Sequence, residues 1–362
     1  MQSVLDLDLE SSAFAVFGAL GAKKSGPDVK KTTIYDLAQL SGASPSTVSA
    51  ALNGTWRVRR IKESTVRQIQ RIAAREGYRA NLQARGLRQS RSGLAGLIMP
   101  MYKNRFFGSL AESFESEARS RGLCPITVST HRDPAEEQRT AETLIAYAVD
   151  SLFVAGATDP DSISRLCLDA GLRHVNLDLP GSLAPSVISD NYRGARRLTE
   201  AMFEAGPGAD ERLKGRIYFL GGRENDFATK ERIAGFREVV TARTGICAPE
   251  QVVATDYDPE VVAREAQELF RDPERAPRAL LVNSTIAFEG GLSFLASLPA
   301  EAVEALVLGC YDYDPFVRFL RFPVVMVRQD TEGLIREAFR ILASEDAEPA
   351  IVRVDPSLIT PG

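Results

Sequence analysis

Histidine is nearly absent from this 362-residue chain, with only His131 and His174, and tryptophan occurs once, at Trp56. Two histidines leave metal or triad chemistry built on imidazole with almost no material. The four cysteines, Cys124, Cys167, Cys247 and Cys310, are scattered with no C-x-x-C pair. They read as small buried hydrophobes in a reducing compartment, neither a disulfide frame nor a zinc site, and no metal or cofactor is expected. No apolar run is long enough to span a bilayer. The run AFAVFGALGA at 13–22 is too short, and Asp6, Asp8 and Glu10 stand where a secretory signal would carry positive charge. Residues 1–30 are therefore expected to be a disordered extension, the location cytoplasmic, and no membrane is expected among the partners. No enzyme activity is expected either, because the chain shows no evident nucleophile–base pair or phosphate loop. GGREND at 221–226 is a lone double glycine of the kind that makes a turn.

What is present is a basic head on an acidic body. Residues 31–92 hold Lys31, Arg57, Arg59, Arg60, Lys62, Arg67, Arg71, Arg75, Arg79, Arg85, Arg88 and Arg91 against Asp36, Glu63 and Glu76, a net of +9 in a chain whose total is −4. Such a distribution fits one small domain that neutralises phosphates while the rest stays off the nucleic acid.

Local signals give that head a shape. Thr33 is placed to cap a helix with apolar residues Ile34, Leu37, Ala38 and Leu40, and Gly42 supplies the break for a tight turn. Ser44 as cap with Pro45 at the first helical position starts a second helix. A third follows, its apolar face Val66, Ile69, Ile72 and Ala73. Two short helices joined by a glycine turn predict a helix-turn-helix, whose second helix can enter the major groove.

From residue 93 short apolar runs alternate with amphipathic helical runs. Strands are expected at 94–99, 125–129, 151–156, 174–179, 216–221, 279–283, 305–309 and 324–328, and helices at 107–121, 135–149, 193–205, 230–244 and 261–270. This alternation implies an α/β core of parallel sheets covered on both faces, with ligands outside the carboxyl ends of the strands. With 44% apolar content the chain can fill two core-bearing lobes besides the head.

The order of segments resembles the LacI/GalR family of transcription regulators from about 32 to 355. The strings that carry it are TIYDLAQLSGASPSTVSAALN, EGYRANLQARGLRQSRSGLAGLIMP and RIAGF at 232–236. The length of NGTWRVRRIKEST at 53–65, with NSTIAFEGG and DPFVRFLRFPVVMVRQD, is similar to the fructose-repressor (catabolite repressor–activator) branch. The resemblance implies a helix-turn-helix domain over 31–79, a hinge over 80–92 and a two-lobed, periplasmic-binding-protein-like core over 93–362. Lobe one is expected at about 93–190 and 321–343, lobe two at about 191–320 and 344–358.

By that resemblance DNA contacts fall at Thr33, Tyr35, Ser44, Pro45, Ser46, Thr47, Ser49, Ala50, Asn53, Arg57 and Arg59, with bases facing Pro45, Ser46 and Ala50. Ala50 could offer only an apolar contact to a thymine methyl. Trp56 is open to two readings, a phosphate contact or a plug under the third helix. Asn81, Ala84 and Leu87 fall in the hinge, where the leucine would wedge into a base step.

Strand ends nominate the effector pocket: Asn104, Arg105, Phe106 and Phe107 in NRFF, similar to the family's N-P-F-F, then Asp133, Asp178, Asn283, Tyr311 and Asp312. Arg232 is added because RIAGF matches the family's R-x-x-G-F element. GCYDYD departs from the family's G-x-D-D, so the contacting position is either Tyr311 or Asp312. The expected protein is a homodimeric regulator that binds a pseudopalindromic operator under control of a small sugar or sugar phosphate. Arg105 and Arg232 are the candidate phosphate partners. The alternative is a sugar-binding or sugar-processing α/β protein with a fused DNA-binding head.

Overall fold

The computed structural model describes residues 32–78, 91–205, 208–344 and 348–360. The expected extension at 1–30 and the hinge residues Asn81, Ala84 and Leu87 lie outside them. The chain divides into two compact units, one reaching to Asn81 and one beginning at Leu82.

In the first unit α1 (Ile34–Ser41) starts at a capping box. Thr33 Oγ1 accepts from the Asp36 N–H at 3.3 Å and Asp36 Oδ2 accepts from the Thr33 N–H at 2.8 Å, which satisfies two donors that a helix start leaves over. Gly42, with φ of 65°, turns the chain. Ser44 then caps α2 (Pro45–Leu52) by accepting from the Thr47 N–H at 3.2 Å. The third helix, α3 (Glu63–Arg75), closes a core of Leu37, Ala38, Val48, Ala51, Val66, Ile69 and Ala73. Trp56 is half-buried and packs against this core, which favours the plug reading.

The second unit holds two six-stranded sheets. The first, all parallel, runs β11 (Ile351–Val354), β5 (Ser186–Ser189), β4 (His174–Leu177), β3 (Ser151–Ala155), β1 (Leu94–Met99), β2 (Cys124–Ser129). The second runs β12 (Ser357–Ile359), β10 (Val324–Arg328), β9 (Val307–Tyr311), β8 (Ala279–Val282), β6 (Ile217–Leu220), β7 (Val252–Val253), parallel except for β12. Central strands such as LLV and LIM are buried on both faces, which explains their unbroken apolar composition.

Helices α4 (Arg105–Ser120), α5 (Pro134–Ala146) and α6 (Pro160–Asp169) connect the first sheet. The second lobe follows with α7 (Asn191–Phe203), α8 (Ala209–Leu213), α9 (Phe227–Thr244), α10 (Pro259–Leu269), α11 (Thr285–Leu295) and α12 (Ala300–Glu304), and α13 (Thr331–Ala343) returns to the first.

The lobe boundaries differ from the sequence expectation near the C-terminus. Residues 321–343 were assigned to lobe one, yet β10 pairs with β9 in the second sheet. Residues 344–358 were assigned to lobe two, yet β11 pairs with β5 in the first. β10 lies between β9 and β12 and β11 at the edge beside β5, a placement that apolar content cannot reveal. The chain thus crosses between lobes at 189–191, 328–331 and 354–357, all at the β5, β11, β10 and β12 end of the sheets.

Close packing of α7 on α9 depends on Gly235 of RIAGF, where a Cβ would lie 2.4 Å from the Tyr192 carbonyl oxygen. Gly235→Ala must force the helices apart. The expected loss is about 1–3 kcal/mol, as for other overpacked interiors, read as a drop of roughly 2–4 °C in Tm per kcal/mol. An unchanged melting midpoint would contradict this packing argument.

Candidate functional site

The carboxyl ends of both sheets face one cleft, which contains a cavity of about 240 Å³. Its wall is built from strand ends, as expected of open α/β sheets. After β1, Asn104 caps α4 by accepting from the Phe106 N–H at 2.9 Å, and this start of the helix presents Phe106 and Phe107 as an edge-to-face pair. After β4 the chain turns through Asp178, and after β9 through Asp312. Both residues take left-handed backbone conformations, with φ of 68° and 73°. Such conformations are uncommon for residues other than glycine and cluster at functional sites.

Arg232 on α9 occupies the centre. It is 3% exposed, donates from Nε to Asn191 Oδ1 at 2.8 Å and from Nη1 to the Asn283 carbonyl at 2.6 Å, and lies 3.7 Å over the Tyr311 ring. Burial opposes its charge. The surrounding groups, Asp312 foremost, more than offset that and hold its pKa above the ordinary value. Asp312 accepts from Gln329 Nε2 at 2.5 Å; burial raises its pKa, and Arg232 pulls the other way.

Asp178 is pushed up to about 6, chiefly by burial, with Arg132 and Arg232 opposing the rise. A carboxyl whose folded pKa is raised contributes stability that is fully present below its unfolded pKa near 4 and lost as pH rises through about 6. Asp178→Asn, neutral at every pH, should therefore raise Tm of the ligand-free protein above pH 6 and leave it nearly unchanged below pH 4. A gain confined to acid conditions would reverse the sign of this argument.

Of the expected pocket residues, Asn104, Phe106, Phe107, Asp178, Arg232 and Asp312 line the cavity. Tyr311 and Asn283 are fully buried behind Arg232 and hold it, so of the two residues that the sequence left open, Asp312 is the one that lines the cavity. Arg105 is a correction: its guanidinium is paired with Asp314 of the other lobe at 2.5 Å and is not part of the cavity wall. Asp133 is another, spent as the exposed cap of α5, where it accepts from the Ala135 N–H at 2.8 Å.

The neighbour of Asp133, Arg132, points into the cleft instead, 3.6 Å from Asp226 and over the Tyr257 ring. Arg223 pairs with Asp256 at 3.0 Å, and Lys103, Asp258, Ser284 and Gln329 complete the polar wall. The strand-end rule would have found Arg132. It would also have found Arg223 and Asp226 of GGREND, had that turn been weighed as the exit of β6.

A sequence profile of the periplasmic binding protein domain matches residues 95–315. The ribitol operon repressor of Klebsiella aerogenes is 50% identical over 198 residues, which cover 54% of this chain and 72% of that one. The chain belongs to the LacI/GalR family of transcription regulators.

Two solved structures carry the same fold as this LacI/GalR regulator. The lac repressor dimer bound to operator and the anti-inducer ONPF gives a TM-score of 0.74 at 19% identity, covering 91% of this chain and 98% of that one. The Cra dual regulator of Pseudomonas putida in complex with fructose 1-phosphate gives 0.65 at 24% identity, covering 74% and 98%.

On the regulator's head, Thr33, Tyr35, Ser44, Pro45, Ser46, Asn53, Arg57 and Arg59 are exposed, and Thr47 and Ser49 are half-buried. Ser44 Oγ also lies 2.8 Å from Ser46 Oγ, and Asn53 Nδ2 donates to Ser49 Oγ at 3.1 Å, so several hydroxyls at the start and end of α2 are held in place. Ala50 is the exception. At 3% exposure its methyl is too short to reach the surface, and the expected contact with a thymine methyl is not on offer. Among the described residues no helix is long and apolar enough to cross a membrane.

Proposed function

We propose that this regulator binds a pseudopalindromic operator as a homodimer through residues 31–92, and that a neutral polyol or free monosaccharide in the cleft changes its affinity for that operator. The charge pattern of the cavity carries the choice of ligand. Five carboxylates on the wall, Asp178, Asp226, Asp256, Asp258 and Asp312, face four cations, Lys103, Arg132, Arg223 and Arg232. Two of those arginines are paired to wall carboxylates, and Arg232 is held by neutral acceptors beside Asp312. A dianionic phosphate would meet a wall with no net positive charge and would have to break existing pairs.

Hydroxyl groups fit better. Gln329 Oε1, on the cavity wall, is buried with no hydrogen-bond partner among the described residues, and carboxylates accept from several hydroxyls at once. The name of the ribitol operon repressor, 50% identical to this chain over the matched region, points to the same class. The fructose 1-phosphate bound by the Pseudomonas regulator keeps a phosphorylated ligand as the competing reading. Its sequence argument has lost Arg105, which is committed to Asp314.

On this reading the regulator is a sensor that returns its ligand unchanged and works in the cytoplasm. Calorimetry on the full chain with ribitol, fructose and fructose 1-phosphate tests it. A neutral compound should bind more tightly than the phosphate; tighter binding of fructose 1-phosphate would overturn the assignment, and turnover of any bound compound would overturn the sensor role.

A further inference from the structure

Two ion pairs cross the cleft from lobe to lobe. Arg105, the first residue of α4, meets Asp314 beyond β9 at 2.5 Å, and Arg132 beyond β2 lies 3.6 Å from Asp226 beyond β6. The three chain crossings sit at the β5, β11, β10 and β12 end of the two sheets. Arg132 and Asp226 follow β2 and β6, toward the far end of the two sheets from those crossings, and Arg105 and Asp314 follow β1 and β9, so neither pair lies on a crossing strand and each must part if the lobes open.

The two pairs differ in one respect that matters. Arg132 and Asp226 belong to the cavity wall, whereas Arg105 and Asp314 do not. Asp314 is fixed before the arginine arrives, because its Oδ1 accepts from the Phe316 N–H at 3.1 Å while Oδ2 receives Arg105. Only one side chain must be ordered to make the bond. Arg105 is also the point at which NRFF departs from the N-P-F-F element, so a charge stands where the related pattern carries none.

We infer that Arg105 and Asp314 form a clasp: a positioning pair that favours the closed arrangement of the lobes and so sets how tightly the cleft holds its ligand, without touching that ligand. The inference rests on reading the cleft as the effector site. Apparent affinity scales with the fraction of molecules already in the binding-competent arrangement, so a pair that shifts this fraction shifts affinity by the same factor. Arg105 is 52% exposed on its side chain, which sets the scale at that of a surface ion pair and makes the effect sensitive to salt. The expected change is about twofold to fivefold on losing the pair.

The test uses the full chain as Arg105→Gln, Asp314→Asn, the double variant and Arg105→Lys. Asparagine at 314 keeps the oxygen that caps the following turn. Hydrogen exchange without ligand is read at the amides of 106–110 and 260–262, at the starts of α4 and α10. Each single variant should exchange faster by the stated factor at low salt, the double variant no faster than either, and the lysine variant close to wild type. In high salt the difference should vanish. Ribitol affinity by calorimetry should fall by the same factor. Unchanged exchange in the single variants, or strictly additive effects in the double, would overturn the clasp. Failure of ribitol to bind the wild-type chain would instead overturn the choice of ligand class, and the exchange measurements would still decide on the clasp.

Discussion

Arg232→Ala will abolish the response to effector, with a loss of affinity of at least about 100-fold, while the variant still binds operator DNA in the absence of ligand. The estimate follows from what the arginine does. It is the buried cation between Asp178 and Asp312, and removing one partner from such a cluster leaves uncompensated charge, at about 3–5 kcal/mol. Part of that energy is lost as stability, so Tm should also fall. Arg232→Lys separates the two losses, because it keeps the charge and loses the planar fork that serves Asn191 and the Asn283 carbonyl together. Calorimetry and operator binding on both variants check the expectation. Effector binding by the alanine variant within tenfold of wild type would remove Arg232 from the centre of the site.

A chain that begins at Ser92 will lose operator binding altogether and keep effector binding. The core has its own anchor at that point. The Ser92 N–H donates to Asp150 Oδ1 at 2.7 Å and the Gly93 N–H to Asp150 Oδ2 at 2.9 Å, so a start there leaves the entry to β1 held. The missing segment carries the +9 charge, and with it the phosphate contacts that dominate affinity for DNA. For the full chain, log affinity should fall against log salt with a slope near −0.9 for each phosphate neutralised. A gel-shift titration of both forms makes the comparison. Retention of operator affinity by the shortened chain would move the DNA-binding surface into the core.

Strand positions were legible wherever apolar runs were long, as in LAGLIM and VVMVR, because strands covered on both faces need uninterrupted hydrophobic side chains. The short strands were not: SVIS of β5 is only four residues long with a serine at each end, and three of the four edge strands gave no signal. IVRV carries a charge and is partly exposed, SLI is three residues long, and VV is two, so β11, β12 and β7 gave no periodic signal. Missing β11 and assigning β10 by position along the chain misplaced both strands between the lobes.

The site was legible in kind rather than in detail. Strand-end polar residues found Asp178 and Asp312, and RIAGF found Arg232, since the chemistry of a cleft is carried by side chain types at the ends of strands. Which way a side chain turns depends on its partners across space. Arg105 and Arg132 each follow a strand of the first sheet, yet Asp314 holds one off the cavity wall while Asp226 and Tyr257 hold the other on it. Ala50 was read as a contact residue from its place on α2, where only the folded head shows the methyl to be buried.

The central claim is that a neutral polyol in the cleft and operator DNA on the head are energetically coupled. It is tested most directly by measuring ribitol affinity of the full chain with and without a saturating DNA fragment that the protein itself has selected from a random pool. Coupling is reciprocal, so the factor by which DNA changes ribitol affinity must equal the factor by which ribitol changes DNA affinity, and about 5- to 150-fold is expected. Ribitol affinity that is the same with and without bound DNA would contradict the account.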